Sequence, residues 1–232
     1  MSTVSADEIA KFGRLAAQWW NPAGPMKPLH RMNPLRVEWV GSRIDSRLEA
    51  PIRLLDLGCG AGLAAEAFAR RGYDVLGVDA AAEAIAAAEL HAAEAGLPLA
   101  YRTGSAEQLV AEGLRFDVVT ALEVIEHVAD QAAFMALLAQ LVRPGGLVFV
   151  STLNRTWQSL AVAKIGAEYV ARMLPAGTHN WRQFVPPEAL AGHARAAGLR
   201  LVDLTGLDMN VLTGAWRATR RVGVNYLAAF EG

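Results

Sequence analysis

Leu54-Leu55-Asp56-Leu57-Gly58-Cys59-Gly60-Ala61-Gly62 is an apolar run that breaks into glycines at alternate positions. It is answered by Asp79 at the end of the next apolar stretch, Asp74 to Asp79. A strand that ends in closely spaced glycines lets a ligand approach the backbone where a side chain would block it. An acidic residue roughly 20 positions on is placed to hold a ribose diol. The pair therefore marks a nucleotide-type cofactor site. A plain tight turn is the bland alternative for the glycines, and an N-cap for the following helix is the alternative for Asp79.

The pattern continues on both sides of this motif. Ile52 to Leu57 reads as a strand, Ala61 to Arg70 as a helix, Asp74 to Asp79 as a second strand, and Ala81 to Ala95 as an alanine-rich helix ending at Gly96. Leu99 to Gly104 and Phe116 to Leu122 follow as strands. A helix over about Gln131 to Val142 is closed by Pro144-Gly145-Gly146, and Leu147 to Ser151 is the fifth strand. Alternating strands and helices with near-continuously apolar strands predict a parallel sheet covered on both faces, a doubly wound α/β fold. Ligands gather at the carboxyl ends of the strands in such folds, which brings Gly58, Asp79 and Leu122 together although the sequence scatters them.

Composition sets the frame. A chain of 232 residues, 53% hydrophobic and 19% charged, suits a single domain with a sizeable core. A net charge of −1 gives no general electrostatic reason to expect a nucleic-acid partner. The lone Cys59 excludes an intramolecular disulfide framework and fits a reducing compartment. Met1 to Lys11 carries Asp7 and Glu8 and does not read as a secretion signal, and no stretch is long and apolar enough to span a bilayer. The expectation is a cytoplasmic protein, at most peripheral on the inner face of the membrane.

Glycine spacing separates two cofactor classes. A dinucleotide fingerprint runs G-x-G-x-x-G, whereas here Leu63 stands where the third glycine would be. The D-x-G-x-G-x-G form from Asp56 to Gly62 resembles the first motif of class I S-adenosylmethionine-dependent methyltransferases. Phe116-Asp117-Val118-Val119 and Pro144-Gly145-Gly146 resemble their later motifs. The resemblance implies a Rossmann-like, mostly parallel seven-stranded sheet with an antiparallel last strand, completed by β-like runs in Gly198 to Leu207 and Val224 to Phe230. It also implies cofactor contacts from Asp56, Gly58 and Gly60, ribose binding by Asp79, and packing of Leu122 against the cofactor.

Outside the core the likeness narrows. Trp19-Trp20-Asn21-Pro22, the run Lys27 to Arg36, Ser151 to Thr156, Gly166 to Tyr169, Pro175 to His179, Gly206-Leu207 and Val224-Asn225-Tyr226 together resemble the ubiquinone biosynthesis O-methyltransferase family over nearly the whole chain. That resemblance implies methylation of ring hydroxyls on polyprenylated phenols, namely a 2-polyprenyl-6-hydroxyphenol and 3-demethylubiquinol, and a cofactor contact from Arg36. A guanidinium can pair bidentately with the carboxylate of the cofactor's methionine part, and a surface ion pair is the alternative. In residues 1–50, Trp19, Trp20, Met26 and Leu29 supply apolar surface while Asn21-Pro22 and Lys27-Pro28 interrupt a continuous helix, which suits a lid. His30 is either a substrate contact or a polar plug in that lid.

The reaction requires something to loosen the proton of a phenol whose pKa is about 10. Glu123-Val124-Ile125-Glu126-His127 follows the fourth strand directly. If helical, it places Glu123, Glu126 and His127 on one face, where they suit a divalent ion such as Mg2+ that would stabilise an oxyanion. Resemblance to metal-dependent members of the family agrees. His127 as a metal-free general base, or Glu126 and His127 as helix-orienting groups, are the alternatives.

Residues 155–181 read as a helical insertion. Trp157, Ile165 and Leu174 with Arg155, Lys164 and Arg172 form an apolar stripe flanked by bases that suits contact with anionic membrane lipids, or packing as a lid helix. His91 and His193 read as exposed or capping, and His179 as a turn residue or a contact to the acceptor ring. Other ubiquinone biosynthesis enzymes are plausible partners. Three rivals remain: a dinucleotide oxidoreductase, a methyltransferase of small soluble phenols, and a noncatalytic scaffold of the quinone pathway.

Overall fold

A computed structural model describes residues 16–160, 181–210 and 213–232. The glycine motif sits where the sequence places it. Strand β1 (Arg53–Leu57) runs into the turn at Gly58 to Gly62, and helix α2 (Leu63–Arg70) leaves it; helix α1 (Lys27–Asp45) precedes β1. Then follow β2 (Asp74–Asp79), α3 (Ala82–Glu94), β3 (Ala100–Thr103), α4 (Ala106–Ala111), β4 (Phe116–Leu122), α5 (Gln131–Leu141) and β5 (Val142–Leu153). The chain ends with α6 (Pro187–Ala196), β6 (Arg200–Met209), β7 (Trp216–Thr219) and β8 (Asn225–Glu231).

The strands form one sheet in the order β3-β2-β1-β4-β5-β8-β6-β7. β1 to β5 are parallel, whereas β8 is antiparallel to β5 and β6, and β7 is antiparallel to β6. The expected doubly wound architecture and antiparallel last strand are both present. Seven strands are those expected. The eighth, β7, is a four-residue edge strand whose Trp-Arg-Ala-Thr carries no apolar run long enough to announce it. Strand β4 is buried at every position, as a strand covered on both faces must be. One core cluster gathers α4, α5 and α6 around Phe134, Leu138 and Phe230; a second gathers α1 and α2 around Ile44, Phe68 and Phe149.

Three local readings change. The helix α4 is short enough that no periodicity betrays it; Ser105 opens it, its amide donating to Gln108 Oε1 at 2.9 Å. Pro144-Gly145-Gly146 does not separate helix from strand but bulges within β5, because the pairing with β4 jumps from Phe116↔Val142 to Val118↔Leu147. Lys27-Pro28 starts α1 instead of breaking it, since a proline in the first turn removes an amide that had no helical partner. Pro34 lies inside the same helix.

Asp117 belongs to the far end of β4 from the glycine turn. Its carboxylate accepts the Arg53 amide at 2.7 Å and pairs with Arg143, so it braces the sheet and lies away from the ligand end.

Candidate active site at the carboxyl edge of the sheet

The sheet order reverses between β1 and β4, and a crevice opens outside the carboxyl ends of strands at such a switch point. There lies a cavity of about 330 Å3 lined on one side by Asp56, Gly58, Gly60, Asp79 and Ser105, and on the other by Leu122, Glu123, His127, Trp216 and Asn225. Helix α1 roofs it through Met32 and Arg36.

The glycine turn is shaped by close approaches. Gly58 and Gly60 have φ of 73° and 53°, and a Cβ at either would collide, with Val124 and with the Trp19 ring respectively. Asp79 holds this turn in place. Its Oδ2 accepts the Gly60 amide at 2.9 Å and its Oδ1 accepts the Ala81 amide at 2.8 Å. One side chain thus ties the glycine turn to the start of α3. Each carboxylate oxygen has a second lone pair left for a ligand hydroxyl, so the capping and binding readings of Asp79 are compatible.

Arg36 and Asp56 both line the cavity and are deeply buried, 3% and 2% exposed. Thr120 Oγ1 donates to Asp56 Oδ1 at 2.6 Å, and Arg36 Nη2 donates to Asn33 Oδ1 at 3.2 Å, while Asn33 Nδ2 is held by the Leu63 carbonyl at 2.9 Å. Arg36 Nε and Asp56 Oδ2 are buried with no hydrogen-bond partner. Native proteins rarely leave such atoms unmade, and here both residues face a cavity. Burial pushes the Asp56 carboxyl up to about 6, against the pull of Thr120 and Arg36. Burial also lowers the Arg36 guanidinium, while Glu123, Asp56 and Glu126 raise it again.

The segment after β4 is not an α-helix. Glu123 adopts φ 61°, unusual for a residue with a Cβ, and only Ile125–His127 forms a single 3-10 turn. What fixes Glu123 is its surroundings. Its amide donates to the Ser151 carbonyl at 3.0 Å, Ser151 Oγ donates to Oε1 at 2.6 Å, and Asn225 Nδ2 reaches both carboxylate oxygens at 3.2 Å. Glu126 turns inward instead. It is 2% exposed, does not line the cavity, accepts from Thr152 Oγ1 at 2.8 Å, and is pushed up to about 8 by burial and then by the charge of Glu123.

The expected metal set is therefore not assembled. Glu123 and His127 face the cavity and Glu126 lies behind it, and among the described residues no three His, Cys, Asp or Glu side chains converge as ligands. The left-handed turn at Glu123 breaks the helical spacing on which that expectation rested. The donor set present does not fit a three-ligand protein site. By contrast, the orphaned Arg36 and Asp56 atoms, the two-point grip of Asp79 and the glycine turn fit the polar ends of S-adenosylmethionine.

The N-terminal block covers the glycine turn. Trp19 and Met26 pack on Ala61, and Trp20 Nε1 donates to the Ala61 carbonyl at 2.9 Å. His30 Nε2 bonds the Trp19 carbonyl at 2.8 Å, which makes it the plug of the two readings offered for it. His91 is less passive than its position in an alanine-rich helix suggested. Its ring stacks on Trp20 with centroids 3.4 Å apart, and its Nδ1 meets the buried Glu66 at 2.6 Å. His179 and residues 161–180 of the expected insertion lie outside the described residues.

Sequence reading missed Asn225, Trp216, Ser151 and Thr120. Thr120 carried a signal: a hydroxyl inside the wholly buried strand Phe116–Leu122 needs a partner, and Asp56 stands on the neighbouring strand at the paired position.

A Rossmann-like sheet with this glycine turn, acidic grip and capped crevice defines a class I S-adenosylmethionine-dependent methyltransferase. A methyltransferase-domain family model matches residues 31–204. The solved magnesium protoporphyrin IX methyltransferase of Synechocystis PCC 6803, with S-adenosylmethionine bound, superposes with a TM-score of 0.66 at 16% identity, covering 100% of this chain and 99% of the other. Sequence relatives are closer. Ubiquinone biosynthesis O-methyltransferases of Methylobacterium nodulans and Cereibacter sphaeroides are 47% and 48% identical, over 99% and 98% of this chain and 96% of each relative. The chain belongs to the ubiquinone biosynthesis O-methyltransferase family, and it is an S-adenosylmethionine-dependent methyltransferase.

Proposed function

We propose that this enzyme methylates ring hydroxyls of polyprenylated phenols, a 2-polyprenyl-6-hydroxyphenol and 3-demethylubiquinol. The observation that carries the reading is one cavity with two characters: unmet polar atoms on Arg36 and Asp56, which line it, and apolar walls from Leu29, Met32, Leu122, Val124, Phe134 and Leu153. The first suits an amino-acid and ribose ligand, the second a greasy ring.

In this reading Arg36 pairs with the carboxylate of the cofactor's methionine part, Asp79 holds the ribose hydroxyls, and Gly58 and Gly60 let the ligand lie on the backbone. Leu122 supplies an apolar wall beside it. When bound, S-adenosylmethionine supplies a methyl group on a positively charged sulfur. His127 takes the phenolic proton onto a ring nitrogen, and the carboxylate of Glu123, fixed by Ser151 and Asn225, favours the resulting imidazolium. The freed oxygen pair would then be available to take that methyl group, with the C–S pair left on sulfur. Glu126 lies behind this pair, outside the cavity lining, and does not touch substrate. The proposed lid is the segment 1–50, of which residues 1–15 lie outside the described residues; within the described part Trp19 excludes water above Gly60.

The test uses the purified protein with S-adenosylmethionine, a short-chain prenylated catechol and a demethylated quinol. Gain of one methyl on oxygen by mass spectrometry is expected with both. Transfer only to small soluble phenols, indifferent to the prenyl chain, would establish the rival acceptor class.

Residues 155–181 are proposed to carry the enzyme to the lipid surface where such acceptors reside, on the cytoplasmic face. Trp157 is 80% exposed and stacks on Trp181 at 6.1 Å, and among the described residues no helix is long and apolar enough to cross a membrane. Anionic vesicles should co-sediment the protein, and Lys164→Glu with Arg172→Glu should weaken the association several-fold. Equal recovery on neutral vesicles would remove the electrostatic part.

A further inference from the structure

Two further buried polar atoms face the same cavity and are used by none of the steps above. Asn225 is 4% exposed; its Nδ2 is committed to Glu123, and its Oδ1 has no hydrogen-bond partner. The amide cannot turn over without setting its carbonyl oxygen against the Glu123 carboxylate, so the group presented to the cavity is an acceptor. The second atom is Trp216 Nε1, a buried donor without a partner, on a side chain that lines the cavity.

The sheet register puts these two on one face. Asn225 pairs with Leu207, Leu207 pairs with Ala218, and Trp216 lies two residues from Ala218 on the same strand. Paired residues share a face and alternate residues return to it, so Asn225 and Trp216 project toward the side roofed by α1. They stand on β8 and β7, across β4 from the ends of β1, β2 and β3 that carry the glycine turn, Asp79 and Ser105. The nucleotide end of the cavity is therefore remote from them.

We propose that Trp216 and Asn225 form a specificity subsite for the acceptor ring, resting on the phenolic reading above. Trp216 N–H donates to a ring oxygen adjacent to the methylated one, and Asn225 Oδ1 accepts the proton of a ring hydroxyl. One donor and one acceptor, on β7 and β8 and lining the same cavity, match a ring with oxygens on neighbouring carbons and penalise one that lacks them. The strand β7 thus contributes to acceptor choice, as well as lengthening the sheet.

The test is Trp216→Phe, which removes the N–H and keeps a ring. On a short-chain prenylated catechol, KM should rise about tenfold with kcat within about twofold, the effect expected of one buried hydrogen bond left unmade. The Kd for S-adenosylhomocysteine by calorimetry should not move. The penalty should vanish for a prenylated monophenol that lacks the adjacent oxygen. Unchanged KM on the catechol, an equal penalty on both acceptors, or a weakened S-adenosylhomocysteine complex would each overturn the subsite. If the unaltered enzyme transfers no methyl to any catechol, the acceptor reading itself falls and takes the subsite with it; a variant-specific result leaves that reading intact.

Discussion

At Glu123 the chain holds a side-chain-bearing residue at φ 61°, and the hydrogen bonds from Ser151 and Asn225 maintain it there. Such a conformation costs of order 1–3 kcal/mol and persists where surrounding structure over-determines it. Its result is to point the carboxylate at the cavity beside His127 and to send Glu126 inward. No pattern in the sequence announces that turn, because the groups that fix it come from β5 and β8. The glycines and Asp79 were legible for the opposite reason. Their chemistry is local, a backbone that must bend and an acid at the end of the next strand. If His127 is the base, His127→Ala should lower kcat by about 10²–10⁴ at pH 7.5. Activity should recover toward pH 10, where the phenol ionises unaided. A loss constant across that range would assign His127 to positioning.

Between residue and molecule, the instructive element is the N-terminal block ahead of α1. Its tryptophans do different things: Trp19 fills the space above Gly60, and Trp20 anchors the block by a hydrogen bond to Ala61 and a stack on His91, which is itself tied to the buried Glu66. The sequence could show the apolar surface of these rings and not their partners, which lie on the glycine turn and on α3. Prolines misled in the same stretch, because Pro28 is tolerated in a first turn where its missing amide is not needed. If the block is the lid, Trp20→Ala removes a ring stack and a hydrogen bond together worth about 1–2 kcal/mol, or roughly a tenfold effect. Stopped-flow release of S-adenosylhomocysteine should quicken by about that factor, with Trp20→Phe intermediate. An unchanged release rate would mean that the block does not gate the cofactor.

Across the whole molecule, the site leaves a thermodynamic mark, because a crevice built for a charged ligand buries carboxyl groups before the ligand arrives. Burial pushes Asp56 up to about 6 and Glu126 up to about 8, the latter with help from Glu123. In the unfolded chain both would titrate near about 4. The folded state therefore holds these two protons more tightly than the unfolded state does. Their favourable contribution is complete below about pH 4 and is lost as pH rises through about 6 for Asp56 and about 8 for Glu126. Glu126→Gln isolates the second part. The amide oxygen can still accept from Thr152 Oγ1, whereas the charge that repels Glu123 is gone at every pH. The variant and the unaltered protein should melt together near pH 5, where Glu126 is protonated. The variant should then pull ahead with rising pH, to at least about 2 °C by pH 8.5, given about 2–4 °C per kcal/mol for a chain of this size. A Tm difference that stays flat from pH 5 to 8.5 would mean that Glu126 titrates as an ordinary carboxylate, and the electrostatic coupling of Glu126 to Glu123 would lose its basis.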